Sequence, residues 1–262
     1  MPALSSSRDP LSKVVQIMTW MLDAPGESVG VREIARGLKM PPSSVHRVLN
    51  ALGEHGLIQH DSASGRYEVG LEFFRLAWRA SSGFPLRKVA LPLLNELVRR
   101  CRETAFLAVY DGQRMQMMFI ASVESEHPLR YVVELHQWLP VHAGASGQAI
   151  MAFLPSSERK IILDRGLQSV TRQTITNPRR LESTLAEVRR RGYARSQGER
   201  IQGAVGLAAP IWGPDHRVIG DVVLTVPEYR FDERGEEHLV DLLKDCAHRI
   251  TERLGGQAPP QT

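Results

Sequence analysis

The stretch EIARGLKMPPSSVHRVLNALGEHGLIQHDSASGRYEVG, residues 33–70, predicts two short helices followed by a β-hairpin. Apolar residues recur at helical spacing on both sides of Pro41 and Pro42, and a proline pair suits the first turn of the second of these helices. The turn-forming run DSASG separates two strand-like segments, residues 57–60 and 66–69. We therefore expect a helix–turn–helix that is followed directly by a hairpin, or wing.

A further helix is predicted upstream of this stretch. Asp9 is a capping residue, Pro10 suits the first helical position, and the apolar pattern that follows stops at Asp23, before a Pro-Gly pair. The helix after it, residues 31–38, is too short to be stable alone. Three helices are therefore expected to share one small core.

The third helix carries polar residues on the face opposite its apolar positions, near its N-terminus. Such a face can enter the DNA major groove, where arginine pairs with guanine, asparagine pairs with adenine and serines hold phosphates. The candidate DNA-binding residues are Ser43, Ser44, His46, Arg47, Asn50 and, beside the wing turn, Arg66. The alternative is a solvated face on a winged-helix module that binds protein and does not read DNA.

Composition sets the broad class of protein. The chain has 262 residues, of which 42% are hydrophobic and 24% charged, which is ordinary globular usage and long enough for two domains. The net charge is +4, but residues 1–70 hold seven basic and seven acidic side chains. DNA reading in that segment must therefore come from a few placed side chains and backbone amides.

Several classes of function are disfavoured by the sequence. No apolar run approaches the roughly 20 residues of a membrane helix, and the N-terminus lacks a secretory signal, so we expect a cytoplasmic protein without membrane contact. Cys101 and Cys246 are far apart and form neither a disulfide framework nor a metal cluster, and no cofactor is expected. His142 and Ser146 could form a nucleophile–base pair, but no G-x-S-x-G elbow surrounds the serine, so an enzyme is disfavoured.

The rest of the chain predicts a connecting helix and a larger second domain. Strand patterns at 106–110, 115–122, 129–135, 206–212 and 218–226 alternate with helical patterns at 86–102, 146–153, 157–164 and 178–191. Hairpins among the strands favour an α+β domain with a mainly antiparallel sheet. The predicted organisation is residues 1–70 for DNA binding, 71–84 for a linker helix, 85–255 for the second domain and 256–262 for a tail.

Three stretches together resemble one protein family. Residues 33–70 look like the winged helix-turn-helix of IclR-type transcriptional regulators. LPVHAGASGQAIMAFLP, residues 139–155, and GYARSQGERIQGAVGLAAPI, residues 192–211, look like segments of their effector domain. The resemblance implies a ligand-responsive bacterial transcription regulator with a GAF-like effector domain, which binds operator DNA and a small organic acid and forms a homodimer or homotetramer.

The resemblance also implies a set of effector-binding positions. They are Tyr131, Ala145, Ser146, Ser196, Ala204, Gly206, Val223 and Thr225. From the residues alone, the run GASG at 144–147 precedes a predicted helix, so its amides are expected to be free to meet a carboxylate, unless it is only a tight packing loop. Lys39 and His136 stand where glycine is usual in the family, and the pocket is less acidic than is typical.

Overall fold

The computed structural model describes residues 9–82 and 85–259, and the chain divides into two compact units, Met1–Phe84 and Pro85–Thr262. The seam predicted at residues 81–85 includes two positions, 83 and 84, that lie outside the described residues. So do positions 260–262 of the predicted tail and the first eight residues.

The first unit has the predicted order of three helices, a hairpin and a connecting helix. The elements are α1 (Pro10–Asp23), α2 (Val31–Leu38), α3 (Pro42–Glu54), β1 (Ile58–Asp61), β2 (Arg66–Val69) and α4 (Leu71–Ser82). The predicted cap is confirmed, because the Asp9 side chain accepts a hydrogen bond from the backbone N–H of Ser12 at 3.1 Å. The winged helix-turn-helix prediction is therefore confirmed.

One apolar core holds this unit together. Ile17 of α1, Ile34 of α2 and Leu49 of α3 are each fully buried, and Tyr67 brings the hairpin onto the same cluster. Tyr67 also pairs its backbone with Val29, at 2.8 Å in both directions. Burying such side chains stabilises each helix by about 1.5–3 kcal/mol per residue, which explains how an eight-residue helix persists here.

The turn between α2 and α3 contains an unusual backbone conformation. Lys39 has φ +53°, in the left-handed region where a side chain with a Cβ costs about 1–2 kcal/mol. His136 in the second unit has φ +65°. Both residues carry side chains in a backbone conformation that favours glycine, so this chain accepts local strain at these two positions.

The second unit is built around one six-stranded sheet. Its elements are α5 (Pro85–Cys101), β3 (Thr104–Asp111), β4 (Gln116–Val123), β5 (Leu139–Pro140), α6 (Gly144–Met151), α7 (Ser156–Asp164), α8 (Pro178–Arg191), β6 (Ala194–Gln197), β7 (Ala204–Trp212), β8 (Val218–Pro227) and α9 (Glu236–Arg253). The strand order is β5-β4-β3-β8-β7-β6, and every neighbouring pair is antiparallel. The α+β prediction with a mainly antiparallel sheet is confirmed.

Helices cover both faces of this sheet. On β3, Leu107 faces a cluster formed with α5 and α9, whereas its neighbour Phe106 faces a cluster formed with α6 and α8. Alternate residues point to opposite faces, so a strand covered on both sides must be apolar throughout. This explains the nearly continuous apolar runs of β7 and β8, in which Asp221 is a buried exception.

One predicted strand and one predicted helix start need correction, and one strand was missed. Residues 129–135, expected as a strand, have no regular secondary structure. Val133 packs on the core beside α6, whereas Val132 is exposed. Just after this segment, the His136 N–H donates to the Phe119 carbonyl of β4 at 2.8 Å. Side-chain burial therefore alternates along these residues although their backbone does not pair as a strand. The short polar strand β6 was not predicted, and α6 begins at Gly144, two residues before its predicted start.

Other features bear on the class of protein. Both cysteines are free thiols, and burial raises the pKa of Cys101 to about 11 and of Cys246 to about 12, so both are unreactive near neutral pH. Within residues 9–82 and 85–259, no helix combines the length and apolar character that crossing a membrane requires.

Candidate functional site

One face of α3 presents a line of exposed polar side chains. The line is Ser43, His46, Arg47 and Asn50, spaced i, i+3, i+4 and i+7, which places all four within about one quarter of the helix circumference. The side-chain amide of Asn50 lies 3.4 Å from the His46 ring nitrogen Nδ1. The buried residues Val45 and Leu49 are on the opposite face, so this polar face is fixed by the core. Ser44 lies at its margin and is half-buried.

A shallow groove surrounds this polar face. It is lined by residues of α2 and α3, including Arg32, Pro42 and Glu54. The sequence analysis did not select Arg32. Its signal was its place in the first turn of α2, and in the structure it is exposed beside the polar face of α3.

The guanidinium of Arg66 is bound inside the domain. It donates to the Ser28 hydroxyl at 2.9 Å, to the Ser28 carbonyl at 2.7 Å and to both carboxylate oxygens of Glu33 at 3.0 and 3.1 Å. The bonds from Arg66 hold the pKa of Glu33 below its usual value. Arg66 therefore joins the wing to the start of α2, and the DNA contact expected for it from the sequence stays a prediction.

The second unit contains a cleft between α6 and strands β4, β7 and β8. Seven of the eight implied effector positions line it: Ala145, Ser146, Ser196, Ala204, Gly206, Val223 and Thr225. They are joined by Phe119, Val133, Gly144, Glu199, Arg200 and Ile201. The empty space is about 400 Å³ including the part open to solvent, and the space that the centre of a water molecule can occupy is only about 40 Å³. The cleft is thus narrow and mostly apolar, and its polar side chains are those of Ser146, Ser196, Glu199, Arg200 and Thr225.

Tyr131, the eighth position, is not among the residues that line the cleft. Its hydroxyl donates to the Gln202 carbonyl at 3.1 Å, and a Cβ added at Gly203 would lie 2.8 Å from that hydroxyl oxygen. Tyr131 therefore covers the loop between β6 and β7.

One of the first amides of α6 has a partner within the chain. The N–H of Ala145 donates to the Ser196 hydroxyl at 2.8 Å. The expectation of a free amide cluster is therefore wrong for Ala145. Ser196, on β6, supplies an internal acceptor where a ligand carboxylate was expected.

A buried carboxylate lies next to the cleft. The Ser146 hydroxyl donates to Asp221 Oδ1 at 2.6 Å, whereas Asp221 Oδ2 is buried without a hydrogen-bond partner. Burial raises the pKa of Asp221 to about 7, and the single Ser146 bond and the nearby Arg200 charge offset only part of that effect. Near neutral pH, Asp221 is therefore in part protonated.

Two further polar side chains, those of Arg200 and Gln148, have a buried atom without a hydrogen-bond partner. Arg200 Nη2 donates to the carbonyls of Pro140 at 2.8 Å and Ala143 at 2.6 Å, and burial lowers the Arg200 pKa to about 10. The Gln148 amide donates to Glu199 at 2.5 Å, and burial raises the Glu199 pKa. Across the described residues, the buried side-chain atoms that lack a hydrogen-bond partner are Gln148 Oε1, Arg200 Nε and Asp221 Oδ2.

The residues of the rival enzyme hypothesis are not arranged as a nucleophile and base. The Ser146 hydroxyl bonds to Asp221, while the His142 ring bonds to the Gln168 carbonyl at 2.8 Å, and burial lowers the His142 pKa. Among the described residues, no group of three or more His, Cys, Asp or Glu side chains is placed to hold a metal ion.

Comparison with known proteins gives consistent matches. The model of the IclR helix-turn-helix domain matches residues 10–62, and that of the bacterial transcriptional regulator IclR C-terminal domain matches residues 79–252. The glycerol operon regulatory protein of Streptomyces coelicolor is 30% identical over 87% of this chain and 89% of its own length.

Solved structures agree with both matches. An IclR transcriptional regulator from Silicibacter superposes with a TM-score of 0.83 at 27% identity, covering 97% of this chain and 99% of its own. An IclR homologue from Microbacterium hydrocarbonoxydans, crystallised with 4-hydroxybenzoate, has a TM-score of 0.81 at 27% identity and covers 94% and 99% of the two chains. This chain therefore belongs to the IclR family of bacterial transcription regulators, which pair a DNA-binding helix-turn-helix with a C-terminal effector domain.

Proposed function

We propose that the protein binds double-stranded operator DNA through α3 and responds to a small organic acid bound in the cleft of the second unit. The polar face of α3 carries this proposal, because its four exposed side chains are held opposite a buried core. The related Microbacterium protein was crystallised with 4-hydroxybenzoate, which supports an acid as the ligand class. The narrow cleft must widen around a molecule of that size.

The side chains at and beside the polar face of α3 have two kinds of role in DNA binding. Arg47 and Asn50 read base edges, and Ser43 and Ser44 hold phosphates together with the amides at the start of α3. Arg32 adds a phosphate contact from α2. Arg66 contributes indirectly, because its bonds to Ser28 and Glu33 set the position of the wing.

Replacing Arg47 by alanine tests the DNA-binding proposal. The loss of a bidentate pair with guanine costs about 1–3 kcal/mol, or roughly 5- to 150-fold in operator affinity. Fluorescence anisotropy with the DNA upstream of its own gene measures this effect. The matched control is Arg190→Ala, which removes the same charge from the second unit, where Arg190 pairs with Glu187.

The control should bind the operator as wild type does. Unchanged affinity of a folded Arg47→Ala protein would remove Arg47 from the recognition face. If, in addition, the DNA affinity does not change with salt concentration, the protein-interaction alternative is favoured, since phosphate contacts weaken as salt concentration rises.

Helix α4 supports a homodimer as the DNA-binding form. Leu71, Phe74 and Trp78 are 82%, 59% and 78% exposed and lie on one stripe of the helix at i, i+3 and i+7. Exposed apolar residues that form a contiguous stripe mark an interaction surface. A dimer also doubles the DNA surface that one small winged helix can bury.

Replacing Trp78 by glutamate should therefore convert the dimer to monomer and weaken operator binding at least tenfold. Light scattering coupled to gel filtration measures the mass, and the same anisotropy assay measures binding. Leu76→Glu is the matched control, because Leu76 is also exposed but lies on the other side of α4. Wild-type mass in the Trp78→Glu protein, or a wild-type monomer with full affinity, would contradict the proposed interface.

A further inference from the structure

Arg200 is a cation that lines the cleft and donates to two backbone carbonyls. Both of its recorded oxygen contacts use one nitrogen, Nη2, which donates to Pro140 and Ala143. These two carbonyls lie at β5 and just before α6, so the guanidinium is fixed against the elements that form one wall. Its Nε is buried without a partner, and Arg200 itself lines the cleft.

The acidic side chains on the neighbouring elements do not form an ion pair with the Arg200 guanidinium. Across the described residues, no ion pair within 4.0 Å joins Arg200 to Asp221 or Glu199, although the charges of Arg200 and Asp221 influence each other. Asp221 Oδ1 accepts a hydrogen bond from Ser146, and the Glu199 carboxyl accepts one from Gln148. A buried guanidinium without an anionic partner is costly, since charges inside proteins are normally paired.

The start of α6 is a weaker candidate for holding an acid. Its Ala145 amide already donates to the Ser196 hydroxyl at 2.8 Å. A ligand carboxylate that accepts from this amide would displace that hydroxyl and would share the cleft with the Glu199 carboxyl. Arg200 Nε offers a donor and a positive charge without displacing any bond.

We propose that Arg200 is the residue that makes this cleft select an acid, by donating from Nε to the ligand's carboxylate. The inference rests on the proposed ligand site and adds its specificity-determining residue. The apolar wall formed by Phe119, Val133 and Val223 then receives the body of the ligand, while the carboxylate lies at the Arg200 end. A neutral amide of the same shape keeps the apolar contacts and loses the charged one.

The test compares carboxylates with their amides. Acetate, propionate and benzoate are titrated against acetamide, propionamide and benzamide with the full-length protein, by calorimetry and by the shift in melting temperature. At least one acid should bind wild type tenfold or more tightly than its amide. Arg200→Gln should abolish that preference by weakening the binding of the acid and not that of the amide. Arg200→Lys should keep part of the preference.

A matched control and a second measurement guard against misfolding. Arg130→Gln removes an exposed arginine that pairs with Glu124, and it should keep the full preference. In ¹⁵N-labelled wild type, the Arg200 Nε–H resonance, identified by its loss in Arg200→Lys, should move with the acid and stay in place with the amide. This measurement does not depend on the Arg200→Gln protein being folded.

The outcomes separate the two levels of the proposal. Acid preference that persists in folded Arg200→Gln, with no movement of the Nε–H resonance, overturns the role of Arg200 and leaves an acid-binding cleft. Equal binding of acids and amides to wild type overturns acid selection altogether. Failure of every acid to bind overturns both the inference and the proposed ligand class.

Discussion

Replacing Asp221 by asparagine should stabilise the second unit above pH 7 and have little effect near pH 4. Burial raises the pKa of this carboxyl in the folded state to about 7, from an unfolded value of 3.8. The folded state therefore favours the protonated acid, and its stability falls as pH rises from about 4 to about 7, where the full penalty is reached. A shift of this size corresponds to at most about 4 kcal/mol at 1.36 kcal/mol per unit.

Asparagine keeps an acceptor for the Ser146 hydroxyl and removes the charge. Urea unfolding of both proteins from pH 4 to pH 8 measures the difference in unfolding free energy, which should grow with pH. Asp241→Asn serves as the control, because Asp241 is exposed on α9 and its replacement should give no such trend. Parallel pH profiles for wild type and Asp221→Asn would show that Asp221 is charged throughout, with an unperturbed pKa.

Replacing Gly147 by alanine should destabilise the second unit by about 3 kcal/mol. A Cβ at this position would lie 2.5 Å from the Val141 carbonyl oxygen and 2.7 Å from its carbon, so α6 and the segment after β5 would have to separate. Alanine is favoured over glycine inside a helix by about 1 kcal/mol. The predicted loss is thus opposite in sign to the effect of helix propensity.

Thermal unfolding and urea titration measure this loss. Gly235→Ala is the matched control, since a Cβ there meets no atom within 4 Å and the residue has a negative φ of −90°. The control should stay within about 0.5 kcal/mol of wild type, as is usual for surface substitutions. A Gly147→Ala protein as stable as wild type would mean that the backbone at Val141 yields easily and that α6 is not fixed by this contact.

The elements that sequence predicted best are those with local signals. Asp9 and Pro10 fix the start of α1, and Asn177 and Gly192 bound α8, because capping and left-handed termination depend on neighbouring residues alone. The strand prediction for residues 129–135 failed because alternating apolar side chains can pack on a core without backbone pairing between strands. The missed strand β6 is short and polar, and it exists because β7 offers a partner.

The same distinction holds for the two candidate sites. The polar face of α3 follows from helical spacing, and the resemblance to the family gave most of the cleft positions. Arg200 and Asp221 were missed, since their importance depends on burial among residues distant in sequence. A charged residue within the apolar run of β8 was a visible signal for Asp221, but only the fold shows that its Oδ2 lacks a partner.

The outermost strands of the six-stranded sheet are its shortest. β5 has two residues, one of them Pro140, which has no N–H to donate, and β6 has four, whereas the strands between them have eight to ten. A long exposed strand edge is a template for edge-to-edge aggregation, and short edges with proline remove that template. The sheet is thereby protected against recruiting strands from other molecules, including partly folded copies of itself during synthesis.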